Sequence, residues 1–461
     1  MKPSLSSPAL SRRRFLRRAS SAAVVGFGFP SIIPAVARAA GPAAPSNRIG
    51  VGLIGAGPQG TGVMRRCLVE EGARVLAVCD VKAGQREKAR DLVNQQYGNQ
   101  DCATYNNFEE LLARRDVDAV IVATPDHWHV LIGLAAVRAG KDIYLEKPLG
   151  YSVAEGQAMR AAVRATGRVF QFGTQQRSSA YFRRACEIVR NGRIGRLQHI
   201  NVWCIGSAPG GSTEIVPVPA GFDYERWLGP APFKPHRQDV CSNEAAKKTW
   251  WFNSDYCLGF ISGWGVHPFD IAYWGYPGIM AGPLQVSGTG TIPTEGACDT
   301  ATTWSVDFRC ASGVTLNFQG LPIAINASSA IKEARLWQEK YQRTSDHGTA
   351  FEGTDGWVHV DRSHVASHPA DLVKEDPAAY KVRVPQSDVH VRNFLDAVRS
   401  RQTPIAPIED AFQSDTLCQI SDIAIRTGRR LTWDPKAERF ARDESANRRL
   451  TLRAMRAPWR I

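Results

Sequence analysis

The chain has 461 residues, 43% hydrophobic and 22% charged, which excludes collagen-like, low-complexity and wholly disordered proteins. It contains no uninterrupted run of 18 apolar residues, which speaks against a membrane span in the mature protein. The net charge of +13 is concentrated at the two ends: residues 1–40 carry seven basic side chains and no acid, and residues 442–461 carry six Arg against Asp443 and Glu444. The body between them is close to neutral and offers no large footprint for a phosphate backbone, so nucleic acid is excluded as the partner.

The first element is Ser11-Arg12-Arg13-Arg14-Phe15-Leu16-Arg17, followed by a short apolar run from Ala22 to Ala37 and the small-residue context Ala37-Arg38-Ala39. A basic region, a short apolar region and that ending read as a signal peptide over 1–40. The paired arginines resemble the bacterial twin-arginine signal, which implies export of the folded protein to the periplasm. The ten cysteines form no C-x-x-C pair, so no metal site is expected. Cys67, Cys79 and Cys186 read as core residues, and Cys298 and Cys310 could meet across a hairpin.

From Arg48 short apolar runs alternate with helical segments. This pattern predicts strands at 49–54, 74–79, 118–123, 142–145 and 169–172, and helices at 59–71, 83–97, 108–114, 127–139 and 153–166. The class is an α/β Rossmann domain, a doubly wound parallel sheet, over 48–175. From Leu197 the texture changes to alternating segments at 198–204, 302–308 and 314–319, separated by Gly-, Pro- and Trp-rich loops over 206–260. They predict a mainly antiparallel sheet with one face packed, in an α+β domain over 176–435. Helical periodicity returns at 389–399 and 410–426, segments expected to pack back on the first domain, and a basic tail occupies 436–461. The tail's Arg and Trp residues either clamp a neighbouring subunit or cover the seam between the domains.

Gly55-Ala56-Gly57-Pro58-Gln59-Gly60 follows the first strand and opens a helix, and Asp80 ends the next strand at the spacing of a dinucleotide fingerprint. Gly55 permits the tight turn, Gly57 a close approach to a pyrophosphate, and Gly60 close packing of helix on strand. The helix N-terminus presents N–H groups and partial positive charge to phosphates. Asp80 would bind the ribose hydroxyls and repel a 2′-phosphate, which favours NAD, while nearby Lys82 and Arg86 leave NADP open.

Lys147 lies just beyond the strand 142–145, at the end of a parallel sheet where ligands bind. An ammonium beside a cationic nicotinamide and poor in solvent gives up its proton more readily, and can then accept one from a hydroxyl while hydride leaves the same carbon. A surface ion pair with Glu146 is the alternative. Thr124, Pro125, Asp126, His127 and His129 follow the strand ending at Ala123, so they and Glu146 would border the nicotinamide half; either histidine could instead cap the next helix.

The stretches Ala123-Thr124-Pro125-Asp126-His127-Trp128-His129 and Glu146-Lys147-Pro148, behind the glycine fingerprint, resemble the Gfo/Idh/MocA oxidoreductases, a group that includes glucose-fructose oxidoreductase and inositol dehydrogenases. The resemblance covers residues 48–435. It implies a catalytic proton-carrying role for Lys147, a second domain whose open sheet supplies the substrate surface, and a homo-dimer or homo-tetramer. The family pattern D-x-G-x-H-x-x-D is met at Gly263-Trp264-Gly265-Val266-His267-Pro268-Phe269-Asp270, except that its first acid is Gly263 here. By that resemblance His267 joins Lys147 in catalysis without its usual companion, unless Asp255 or another acid substitutes. Asp270, Trp264, Gln175, Gln176 and Arg177 are candidate substrate contacts. Trp250, Trp251, Phe252, Tyr256, Phe260, Phe269, Tyr273 and Trp274 make the neighbourhood aromatic, which suits the flat apolar faces of a sugar, although any one of them could be core.

Three functions remain open at this stage. The first is oxidation of a sugar or polyol secondary alcohol by tightly bound NAD(P), with the cofactor restored on the protein because the periplasm offers no free pool. The second is redox-neutral glycoside cleavage through transient oxidation. The third is a binding protein with a vestigial pocket, which the intact lysine and glycine cradle disfavour.

Overall fold

The computed structural model describes residues 47–243, 249–322, 335–341 and 345–461, and the expected leader lies outside the described residues. Residues from Arg48 onward form one unit built on two sheets.

Six parallel strands make the first sheet: β1 (Ile49–Ile54), β2 (Ala73–Cys79), β3 (Ala103–Tyr105), β4 (Ala119–Val122), β5 (Asp142–Leu145) and β6 (Phe170–Phe172), in the spatial order β3-β2-β1-β4-β5-β6. Every residue of β1, β4 and β5 is buried, because helices cover both faces. The helices are α1 (Pro58–Leu68), α2 (Ala83–Tyr97), α3 (Phe108–Leu112), α4 (His129–Arg138) and α5 (Val153–Thr166). Their ends carry local signals. Pro58 occupies the first turn of α1, Ser152 caps α5 by accepting from the Glu155 N–H at 3.3 Å, and Gly98 and Gly167 end α2 and α5 in the left-handed region. Two local details depart from the sequence pattern. β3 is a three-residue, half-buried edge strand, too short to show a period. The expected helix 127–139 begins instead as a 3-10 turn, Asp126–Trp128, entered from the extended backbone of Pro125.

The second sheet has nine strands: β7 (Leu197–Ile205), β8 (Leu284–Thr291), β9 (Thr303–Arg309), β10 (Thr315–Leu321), β11 (Gly348–Gly353), β12 (Trp357–Val360), β13 (Val365–His368), β14 (Leu431–Asp434) and β15 (Arg439–Phe440). Their order is β13-β12-β11-β7-β10-β9-β8-β14-β15, antiparallel throughout except for β7 beside β10. The helices of this half are α6 (Ala180–Arg190), α7 (Tyr224–Leu228), α8 (Phe260–Gly263), α9 (Val266–Gly275), α10 (Arg335–Tyr341), α11 (His390–Ser400), α12 (Ile408–Thr427) and α13 (Glu444–Asn447). Phe269 of α9 packs its ring on Phe318 and Phe308 of the sheet, at 4.5 and 5.9 Å between centroids. On β7, Trp203 stacks with Trp337 of α10 at 4.7 Å and with His359 of β12 at 5.3 Å.

The last two long helices tie the halves together by different routes. α11 sets Val391, Phe394 and Leu395 into the core that holds Val51 and Leu53 of the first sheet and Met64 of α1, and Gln171 of β6 donates to the His390 carbonyl at 2.6 Å. α12 has 15 of its 20 residues buried and so cannot be a surface helix. It packs on α9 and β8 in one half and on α5 in the other, where the Arg160 guanidinium lies 3.8 Å from the Phe412 ring centroid. Asp415 of α12 accepts from Leu149 N–H at 3.3 Å, and Gln419 donates to the Gly150 carbonyl at 3.3 Å, so α12 supports the loop that follows β5.

The C-terminal segment covers a seam within its own chain. Trp459 meets Trp128 edge-on at 4.7 Å, and Arg453 donates to the Asp255 carbonyl at 2.7 Å. Cys298 and Cys310, which the sequence left able to meet across a hairpin, are both free, and no cysteine is in a disulfide. Cys298 is held against Gly210 (N–O 2.7 Å), while Cys310 closes the β9–β10 turn against Val314 (2.9 Å). No helix among the described residues is long and apolar enough to cross a membrane.

Candidate active site

The β1–α1 turn forms a cradle with little room for side chains. At Gly55 the backbone sits at φ +91°, and a Cβ would fall 2.5 Å from the Ala123 carbonyl oxygen; at Gly60 it would fall 2.0 Å from the Gly55 oxygen. No side chain caps the first turn of α1, so its N–H groups remain available to an anion. Asp80, at the end of β2, accepts from Ala56 N–H at 2.7 Å through one oxygen and from Lys82 N–H at 2.8 Å through the other. Burial raises its pKa, while those two donors and the neighbouring Lys82 and Arg86 oppose the shift. The two cations that left a 2′-phosphate possible have other partners: Lys82 donates to the Cys241 carbonyl, and Arg86 donates to the Asp80 carbonyl at 2.6 Å. A cleft of about 710 Å³ opens here, lined by Gly55, Gly57, Asp80, Asn106, Phe108, Thr124, Pro125 and Trp128 among others.

A larger cleft, about 1540 Å³, continues from Gly57, Pro58 and Gln59 past Thr124, Asp126 and His129 to Glu146 and Lys147, and reaches Gly263, Trp264, His267 and Arg362 of the second half. The Lys147 ammonium donates to the Gly263 carbonyl at 2.9 Å, so the backbone at the pattern's missing acid still touches the lysine. Glu146 does not pair with the Lys147 ammonium. It accepts from Gln59 at 2.8 Å and Gln175 at 2.9 Å, fastening α1 and the segment after β6 to the floor of the cleft, and burial raises its pKa. The Thr124 hydroxyl oxygen and His267 Nδ1 are both buried without a hydrogen-bond partner, which leaves polar capacity for a ligand. Burial, with Lys147 and Arg362 adding like charge, pulls the His267 pKa well below its ordinary value and keeps the ring neutral. Trp264 carries the Arg362 guanidinium 4.4 Å from its ring centroid and the His347 ring at 4.7 Å.

Several expected contacts are arranged differently. His127 turns away from the cleft because the 3-10 turn points it at α7, where Nε2 meets the Trp227 carbonyl at 2.9 Å among the rings of Trp227 and Tyr256. Burial lowers its pKa to about 3, so it is a neutral core residue and not a cofactor ligand. His129 borders the cleft, but both nitrogens face main-chain carbonyls, Pro148 at 2.6 Å and Thr124 at 2.9 Å. Burial outweighs those acceptors and brings its pKa down to about 4. His129 lies between the β4 and β5 loops, and the neutral ring has one N–H for the two carbonyls.

Asp270 and Arg177 are not substrate contacts. Each is 1% exposed, and the guanidinium makes paired bonds of 2.7 Å to both Asp270 oxygens plus one of 2.5 Å to Asp410. Gln176 also sits behind the wall, donating to the His267 carbonyl at 3.1 Å and accepting from Arg362 at 3.3 Å in its satisfied orientation. Of the aromatic group, Trp250, Trp251, Phe260 and Trp264 line the cleft, whereas Phe252, Tyr256, Phe269 and Trp274 are core. Asp255 is engaged by Lys234, so it is not the substitute acid.

Arg66, Asn243 and Arg362 join the cleft unforeseen. Arg362 sits in the β12–β13 turn, far along the chain, and nothing local in the sequence marks it. Among the described residues no group of His, Cys, Asp and Glu could hold a metal ion.

Comparison with known proteins agrees with this geometry. Two family models match the chain: the oxidoreductase family's NAD-binding Rossmann fold over residues 49–174, and the same family's C-terminal alpha/beta domain over 346–461. Together they take up just over half of the chain. A glycosyl hydrolase family 109 protein of Saccharopolyspora erythraea is 35% identical over 159 residues, 31% of this chain and 34% of that protein. An inositol 2-dehydrogenase of Salmonella typhimurium is 31% identical over 147 residues, 32% of this chain and 42% of that one. The matched segment thus spans between a third and a little over two fifths of these relatives' own length. The fold extends further than the sequence likeness: the aldose-aldose oxidoreductase of Caulobacter crescentus superposes with a TM-score of 0.59 at 19% identity, covering 84% of this chain and 99% of that one.

Proposed function

The chain belongs to the Gfo/Idh/MocA oxidoreductase family, and from that premise we propose that it is a periplasmic NAD-dependent oxidoreductase acting on a secondary alcohol of a sugar or polyol. The observation that carries this reading is Lys147, held at the carboxyl end of β5 by the Gly263 carbonyl in a cleft shared with the glycine cradle and His267. Gly55, Gly57 and Gly60 with the first turn of α1 would hold the pyrophosphate, Asp80 the ribose hydroxyls, and Thr124 and Pro125 the nicotinamide half. The bound dinucleotide supplies the hydride acceptor. Lys147 takes the hydroxyl proton as the alcohol becomes a ketone, and neutral His267 orients that oxygen from the opposite wall. Trp251, Phe260 and Trp264 present apolar rings to the sugar, and Arg362 presents donors. The twin-arginine pattern at 11–17 supports export of the loaded protein, and a cofactor so carried must be re-oxidised in place.

NAD is the favoured dinucleotide because Lys82 and Arg86, the cations beside Asp80, are both committed to carbonyl oxygens. Asp80→Ala removes the ribose acceptor and frees two main-chain donors of their partner. It should weaken NAD binding by about 10- to 100-fold, the scale of a charged hydrogen bond. Titration of the nucleotide-free protein by calorimetry would read this, and unchanged affinity would contradict the placement.

A second reading, redox-neutral glycoside cleavage, is favoured by one feature. A Cβ built on Gly263 meets nothing nearer than Phe260 at 3.9 Å, so where the family pattern has a carboxylate this cleft has room for a bulkier substrate group. The 35% identity to a family 109 glycosyl hydrolase points the same way. One experiment separates the two: purify the exported protein, release and identify its nucleotide, then screen sugars, polyols and glycosides while following nicotinamide absorbance and products. Lasting reduction supports alcohol oxidation. Cleavage products without lasting reduction support the second reading, and no bound nucleotide with no response ends both.

A further inference from the structure

The larger cleft carries more positive charge than a neutral sugar calls for. Arg66, Lys147 and Arg362 line it, against two acids, Asp126 and Glu146. Both acids are withdrawn from solvent, at 6% and 3% exposed, and burial raises the pKa of each. Glu146 is also engaged by Gln59 and Gln175. Among the described residues no carboxylate forms an ion pair with Arg66 or Arg362.

Arg362 is anchored in the wall. Its guanidinium lies 4.4 Å from the Trp264 ring centroid, and Nε donates to Gln176 at 3.3 Å in that residue's satisfied orientation. Gln176 is 6% exposed and donates in turn to the His267 carbonyl at 3.1 Å, so the arginine is fixed to the helix that carries His267. The two terminal nitrogens of Arg362 make no hydrogen bond among the described residues. The acids whose charge acts on it, Asp346 and Glu146, have other partners, and Asp346 meets His347 at 2.6 Å.

Position 263 fits the same balance. Where the family pattern has a carboxylate, Gly263 offers its carbonyl to Lys147 at 2.9 Å and open space on its other side, since a Cβ meets nothing nearer than Phe260 at 3.9 Å. Lys147 reaches Gly263 from the first half, and Arg362 reaches Trp264 from the second, so both cations address one short stretch, Gly263–His267. A fixed negative charge at 263 would repel an anion held there. This chain lacks that charge at the place where Arg362 supplies a cation.

We propose that the cleft takes a sugar acid, its carboxylate held by the terminal nitrogens of Arg362 and its reacting hydroxyl presented to Lys147. The inference rests on the sugar-oxidising reading and narrows its substrate class from any sugar or polyol to an anionic one. A guanidinium with Nε already engaged keeps a fork of two nitrogens, which matches the two oxygens of one carboxylate. One unpaired guanidinium balances a single negative charge, whereas a phosphate ester brings nearly two.

The test titrates the intact, nucleotide-loaded protein calorimetrically with glucuronate, galacturonate and gluconate, against glucose, galactose and glucose 6-phosphate. At least one acid should bind about 10-fold or more tightly than its neutral counterpart and than the phosphate, and the same acid should reduce the bound nucleotide. Arg362→Gln should raise that acid's Kd by about 10- to 100-fold and erase its advantage over the neutral sugar, with nucleotide still bound. Arg362→Lys, which keeps the charge without the fork, should recover part of the loss. Gly263→Asp should weaken the acid by about 10-fold and the neutral sugar less, through like-charge repulsion. Equal binding of acids and neutral sugars, preference for the phosphate, no binding of any of them, or an acid advantage that survives Arg362→Gln overturns the proposal. Neutral sugars that reduce the nucleotide as well as acids do would leave the redox reading standing without it. A protein that carries no nucleotide and answers to no sugar ends that reading too.

Discussion

Lys147→Ala is expected to lower turnover by about 10²- to 10⁴-fold while the protein stays folded and keeps its dinucleotide. Among the described residues the ammonium makes one hydrogen bond, to the Gly263 carbonyl, and it faces an open cleft, so its removal empties no packed core and leaves one acceptor that water can reach. The groups that would bind the dinucleotide lie on the β1–α1 turn, β2 and the β4 loop and do not depend on that side chain. Loss of turnover with retained nucleotide, measured by release on denaturation and by single-turnover absorbance, is therefore the specific signature. A variant that still reduces its nucleotide at the wild-type rate would show that another group carries the proton. Lys147→Arg should behave like the alanine variant, because a guanidinium does not release its proton near neutral pH.

The largest loss of stability is expected from Arg177→Ala. This guanidinium is 1% exposed and bonded to Asp270 on α9 and Asp410 on α12; Asp270 also accepts from Ser414 at 2.9 Å. Removing the cation leaves Asp270 buried and uncompensated, a change that costs about 3–5 kcal/mol. Arg177→Ala together with Asp270→Asn should recover part of that loss, since the surviving polar group is then neutral. Chemical denaturation followed by tryptophan fluorescence reads both variants. A loss in the single variant below about 1 kcal/mol would mean that solvent reaches the pair. Because α9 also carries His267, activity in any surviving folded fraction should fall with stability and not independently of it.

Much of the cofactor half was legible in the chain. The turn Gly55–Gly60 and Asp80 declare themselves because a backbone that must approach phosphate tolerates no side chain, and that constraint is local. Lys147 is legible for a similar reason: it sits beside Pro148 at the end of an unmistakable buried strand. The substrate half was much less so. Arg177 and Asp270, polar residues beside a site motif, look like ligand contacts in one dimension, yet they meet each other across 93 positions and satisfy one another in the core. His127 and His129 lie two residues apart, and only the 3-10 turn decides that one enters an aromatic core while the other lies between two loops.

By itself the sequence determined the alternation of strand and helix, the glycine turn, the lysine after β5 and the absence of an acid at 263, because each follows from steric or periodic constraints within a few residues. Tertiary structure decided which charges are spent on holding the halves together and which face the cleft. It placed Arg362 from a distant turn over Trp264, withdrew Asp255, and buried Asp126. Desolvation and partner choice depend on what packs from elsewhere in the chain, and no local pattern records them.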